Sequence, residues 1–116
     1  YRRALELAPD APVVLRNLAW LLATHEDPRH RRPEEALALA MRAGALTEGQ
    51  DIRARDAEAA ACAALGRYAQ AVALADAARA AAEAQGRPDL AERIARRAEL
   101  YRAGKPFRQG PAIPVE

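Results

Sequence analysis

An all-α array of antiparallel helix hairpins is the fold class this sequence predicts, and three observations predict it. Alanine supplies roughly a quarter of the 116 residues and aromatic residues only 4%, against a much smaller usual share of alanine. Alanine is the strongest helix former and a small core filler, so the composition calls for closely approaching helices with little bulk per contact. The stretch Leu65-Gly66-Arg67-Tyr68-Ala69-Gln70-Ala71-Val72, continued by Ala75 and Ala78, describes a tight helical turn: a glycine to end one helix in the left-handed conformation, then small residues at helical spacing that let the returning helix press close. A worn copy of the same phrase occurs earlier, with Ala4, Ala43 and Ala78 in equivalent places about 39 and 35 residues apart, which marks a repeat unit.

Residues 1–9 read as a trailing helix, Tyr-Arg-Arg-Ala-Leu-Glu-Leu-Ala stopped by Pro9-Asp10. A helix follows from Pro12, a favourable first-turn residue, to Thr24, with Leu15, Leu18, Ala19 and Leu22 as its apolar face and Val14, Trp20 and Leu21 broadening it. The polar stretch from Glu26 to Arg32, broken by Pro28, reads as a loop. Pro33-Glu34-Glu35 opens the next helix, with acids in the first turn to complement the helix dipole; its face is Ala36, Leu37, Ala40, Met41 and Ala43, and it decays through Gly44 and Leu46 to Gly49. Helices over about 51–65 and 68–85 form the second hairpin, closed by Gly86. Pro88-Asp89 begins a capping helix over 88–104, with Leu90, Ile94, Ala98 and Tyr101 at helical spacing. Residues 108–116, with two prolines and a glycine, are expected to be extended or disordered. The domain thus covers 1–107, with one hairpin over 12–46, a second over 51–86, and a cap.

Charge and cysteine usage bound the function. Eighteen basic and sixteen acidic side chains leave a net charge of +2, too little to make nucleic acid the expected partner. Cys62 is the single cysteine, so neither an internal disulfide nor a cysteine-based metal site can form. No run has the length and apolarity of a membrane span. The chain opens at Tyr1, within helical spacing and without an initiator Met, as the C-terminal piece of a longer protein would; the cytoplasm is its expected compartment, or the periplasm if a parent chain is membrane-anchored.

The alternation of Leu15, Leu18, Ala19 and Leu22 with Ala36, Ala40 and Ala43, and of Ala59 and Gly66 with Tyr68, Ala71, Ala75 and Ala78, resembles the tetratricopeptide repeat, whose helix pairs stack at a period of about 34 residues. The resemblance covers nearly everything from Tyr1 to Phe107, and the segments Asn17 to Thr24 and Tyr101 to Arg108 look like the closing module of large bacterial repeat proteins. It departs from the pattern in a 26–32 loop about five residues longer than the repeat allows, in Glu58 where a core Leu is expected, and in Cys62 where a large aromatic is usual. A Glu in a packed face must reach solvent or an Arg, and Arg55 stands three residues before it on the same face.

Candidate chemistry is sparse. His25, Glu26 and His30 lack the spacing of a zinc-binding helix, and Pro28 separates them. Cys62 among alanines reads as an inert buried thiol. Arg29, His30, Arg31 and Arg32 read as a solvated loop, and Arg93, Arg96, Arg97 and Arg102, interspersed with Glu92 and Glu99, as cations paired along one helix. No metal, cofactor or catalytic residue is expected, and the chain is not expected to be an enzyme. What the resemblance implies is a concave groove lined by the first helix of each pair, placing Val13, Arg16, Asn17, Trp20 and Thr24 there with Arg53, Asp56, Ala60 and Ala63. Arg16 and Asn17 are of a type that holds a peptide carboxylate, and Trp20 is the natural interface aromatic.

The expected function is therefore a protein–protein interaction scaffold, its groove taking a peptide or helix of a partner. The alternatives are self-association through the apolar edge of Tyr1, Leu5 and Leu7, giving a homodimer, or a structural cap or accessory module of a larger bacterial enzyme. The resemblance implies fusions to glycosyltransferases, kinases or sulfatases.

Overall fold

The computed structural model describes residues 11–25, 29 and 31–108 of the chain. Among them are five helices: α1 (Pro12–Thr24), α2 (Pro33–Leu46), α3 (Ile52–Ala64), α4 (Tyr68–Ala84) and α5 (Pro88–Arg102). The described residues are all-helical, with no strand between them. The expected helix over 1–9, with the apolar edge proposed for self-association, lies outside the described residues, as do most of the 26–32 loop and the tail from 109 onward. None of the helices is long and apolar enough to cross a membrane.

Helix starts follow the local sequence. Pro12, Pro33 and Pro88 sit in first turns, where a missing N–H leaves nothing unsatisfied. Asp51 caps α3 through its side chain, accepting from the amides of Arg53 at 3.0 Å and Ala54 at 3.4 Å. The hairpin turn ends α3 as its glycine requires. Gly66 has φ +82°, its amide donates to the Ala63 carbonyl at 3.0 Å, and the Arg67 amide donates to the Cys62 carbonyl at 2.8 Å, the paired bonds of a Schellman closure. Gly86 repeats it through Glu83 and Ala82.

Packing gives the helix directions. Three small layers join the first three helices: Leu15 with Ala43 and Ala54, Ala19 with Ala40 and Ala57, and Leu22 and Ala23 with Ala36, Ala60 and Ala61. Residue numbers rise together in α1 and α3 while they fall in α2, so α1 and α2 are antiparallel and α1 and α3 run side by side in one direction. Almost every α2 and α3 position in these layers is alanine, which allows this close approach. The larger cluster lies between α3, α4 and α5, where Ile52, Cys62, Ala71, Ala75, Ala78, Leu90, Ile94 and Tyr101 meet.

Three sequence expectations need correction. Met41 is 55% exposed, although it was assigned to the apolar face of α2; at 100° per residue it stands well away from the buried row Ala36, Ala40 and Ala43. Leu21 is likewise solvent-facing at 45%. Glu58 is half-buried rather than in the core; burial raises its carboxyl above the ordinary range and the Arg55 charge pulls it back. Cys62 is fully buried, and burial pushes its thiol up, the opposite of what a nucleophile needs.

Tyr101 fills the place of greatest bulk in the larger cluster, fully enclosed, and its hydroxyl has no hydrogen-bond partner among the described residues. Burial, with the nearby Asp56 charge, holds the phenol well above its ordinary 10.0. A folded-state pKa raised above the unfolded one leaves stability intact below the unfolded value and removes it as pH rises beyond it. The unfolding midpoint is therefore expected to fall above about pH 10. Tyr101→Phe should flatten that fall and hold or raise neutral stability by about 1 kcal/mol, because it removes an unsatisfied buried group. Urea unfolding of both proteins across the alkaline range checks this; a less stable Phe variant with an unchanged alkaline profile would contradict it.

Candidate partner-binding groove

A groove of about 510 Å³ runs across α1, α3 and α5. Arg16, Asn17, Trp20 and Leu21 line it from α1, Arg53 and Asp56 from α3, and Leu90, Arg93 and Arg97 from α5. These are the first helix of each hairpin and the capping helix. In each, the groove residues flank the packed stripe: Arg16, Asn17 and Trp20 beside Leu15, Leu18 and Leu22, and Arg93 and Arg97 beside Leu90, Ile94 and Tyr101.

Of the residues expected in the groove, Arg16, Asn17, Trp20, Arg53 and Asp56 line it, and four others do not line it. Val13 is exposed but sits outside it. Thr24 is fully buried, its hydroxyl donating to the Trp20 carbonyl at 2.7 Å. Ala60 and Ala63 are buried too, because α3 is enclosed by α1 and α2 on one side and by α4 and α5 on the other. Leu21, Leu90, Arg93 and Arg97 are lining residues the sequence reading did not place there. Applying to the capping helix the flanking rule used for α1 would have found the two arginines.

Asp56 does not point freely into the groove. It is buried, and Arg97 reaches it across the α3–α5 interface with two bonds, Nη2 to Oδ2 at 2.5 Å and Nε to Oδ1 at 3.3 Å. Burial raises the Asp56 carboxyl above its ordinary 3.8, and Arg97 foremost, then Arg93 and Arg53, pull it down. The Arg97 guanidinium also lies 4.8 Å from the Trp20 ring centroid and 5.5 Å from that of Phe107, the two rings being 5.5 Å apart and tilted by 36°. Stacked cation and rings attract one another by about 0.5–2 kcal/mol, more as they are desolvated. Arg97 is thus not paired along its own helix as expected. Arg96 is, with Glu92 at 3.0 Å, and Arg102 joins Glu99 at 3.1 Å as well as Asp76 on α4.

Arg16 is also engaged. Its Nη1 donates to Asp51 Oδ2 at 2.8 Å, with both side chains largely buried, so the carboxylate that caps α3 also ties it to α1. An incoming carboxylate would have to compete with Asp51 for Arg16. The Arg53 and Arg93 side chains are exposed and make no ion pair or side-chain hydrogen bond among the described residues. The groove therefore combines two internally neutralised arginines, two available ones, and apolar surface at Trp20 and Leu21.

Compared with protein-family models, curated proteins and solved structures, the chain has no match. Fold and site together define the class: an all-helical protein with an arginine-rich groove across alternate helices.

Proposed function

We propose that this chain is a protein-interaction module of tetratricopeptide type, and that the groove across α1, α3 and α5 holds an extended or helical segment of a partner. The observation that carries the reading is the composition of the groove wall. Among the described residues alternate helices supply all of it, and it joins a half-buried tryptophan and available guanidinium groups, residue types enriched in binding hot spots, to the exposed apolar surface of Leu21. The layered packing of α1, α2 and α3, with first helices side by side, supports the solenoid arrangement. A second reading, a terminal cap of a longer helical stack, is favoured by the outward face of α5. There Glu92, Arg96 and Glu99 are exposed and paired along the helix, a polar surface suited to ending an array.

Trp20 is the only tryptophan in the chain, so its emission reports directly on the groove. Peptides that bind there are expected to shift it, and Trp20→Ala to weaken them by at least about tenfold, a larger effect on binding than on the unfolding midpoint. Anisotropy of labelled peptides with parallel thermal unfolding makes the comparison. Intact binding in a strongly destabilised variant would show that Trp20 only packs the fold.

A further inference from the structure

Among the described residues the lining of the groove is electrically one-sided: four guanidinium groups face a single carboxylate, Asp56, which is buried and already claimed by Arg97. A smaller cleft of about 220 Å³ adjoins it, lined by Arg93, Arg96, Arg97, Leu100 and Phe107 and, among the described residues, by no acidic one. Groove and cleft share Arg93 and Arg97, so they form one path along α5. Apolar surface accompanies the cations in both parts, Leu21 beside Arg53 and Arg93 in the groove and Leu100 beside Arg96 in the cleft. Among the described residues Arg96 is held only by an exposed pair with Glu92, an interaction weak enough for a ligand carboxylate to exchange.

We propose that this path selects an acidic peptide segment that also carries apolar side chains. Its carboxylates engage Arg53 and Arg93, and its apolar residues lie on Trp20 and Leu21. The inference rests on the groove reading above and adds the chemistry of the partner. Arg16 is not the anchor, because Asp51 already neutralises it. Burying an arginine–carboxylate pair against an aromatic wall gives specificity by charge as well as contact. Nucleic acid fits less well: the available cations are few and the wall between them is apolar.

The probes are an amidated peptide of alternating glutamate and leucine, its glutamine–leucine counterpart, and a single-stranded DNA oligonucleotide, each labelled and titrated against the whole chain. The glutamate peptide is expected to bind most tightly and to weaken with rising salt. Arg53→Glu with Arg93→Glu should weaken it at least about tenfold, while Arg79→Glu, on the exposed surface of α4, leaves it unchanged. Failure of the glutamate peptide to bind, equal binding of the glutamine peptide, or tighter binding of the oligonucleotide overturns the proposal. The groove reading is separable: equal binding of both peptides with loss in Trp20→Ala keeps the groove and removes the charge selection. Indifference of both peptides to Trp20→Ala removes the groove itself.

Discussion

Arg97→Ala is expected to destabilise the fold by about 3–5 kcal/mol, a large share of what a domain this size has. The substitution leaves the Asp56 carboxylate buried without its bidentate partner, and an uncompensated buried charge is among the most costly lesions a core can carry. It also removes the guanidinium stacked on Trp20 and Phe107, loosening the groove wall and the segment that follows α5. The sign of the pH dependence follows from Asp56. Its folded-state carboxyl is already raised by burial, so its contribution is fully present below the ordinary 3.8 and is lost as pH rises through the folded value. Without Arg97 that value rises further. The variant should therefore regain stability on acidification from neutrality toward the ordinary carboxylate range, and do so more than the parent chain. Asp56→Leu combined with Arg97→Ala should recover most of the loss, since apolar side chains replace a buried pair at little net cost. Urea unfolding of the single and double variants at neutral and mildly acidic pH checks both points. A single variant as stable as the parent would show that the pair contributes nothing, and a double variant no better than the single would show that the loss does not come from the stranded Asp56 charge.

The second large effect is expected at Asp51. Asp51→Ala removes the cap of α3, about 1 kcal/mol, and strands the largely buried Arg16 guanidinium, for a combined loss of about 2–3 kcal/mol. Asp51→Asn separates the two roles, because an amide still accepts from the Arg53 and Ala54 amides but no longer neutralises Arg16. It should fall about midway in stability. It also makes Arg16 a third available cation in the groove, so the glutamate–leucine peptide should bind Asp51→Asn more tightly than the parent chain. Equal stability of the Ala and Asn variants would place the whole effect in the Arg16 pairing, and an Asn variant as stable as the parent chain would place it in the cap.

The helices were legible because their signals are local. Proline in a first turn, glycine in a left-handed closure and alanine at helical spacing act within a few residues, and α1 to α5 begin and end within three residues of the expected positions. Half the groove was legible for the same reason: Arg16, Asn17 and Trp20 flank an obvious apolar stripe. The burial of Ala60 and the pairing of Asp56 with Arg97 were not legible, because their surroundings come from other helices. In α3 the charged residues Arg53, Arg55, Asp56 and Glu58 are spread around the helix rather than gathered on one face to betray its orientation, and whether it is enclosed depends on how many neighbours it has. Arg97 had acidic residues nearby on its own helix, yet its partner lies 41 residues away in sequence, where a buried carboxylate outcompetes exposed ones.

By itself, then, the sequence determined the helical class, the helix ends, the hairpin turns and the small-residue contacts between helices, all consequences of backbone geometry and short-range sterics. Only the tertiary structure decided which charges neutralise one another. Asp51 takes Arg16, Asp56 takes Arg97, and Arg53 and Arg93 are left facing the groove. Ion pairing depends on distance and desolvation across packed helices, and neither quantity is written in the order of residues along one of them.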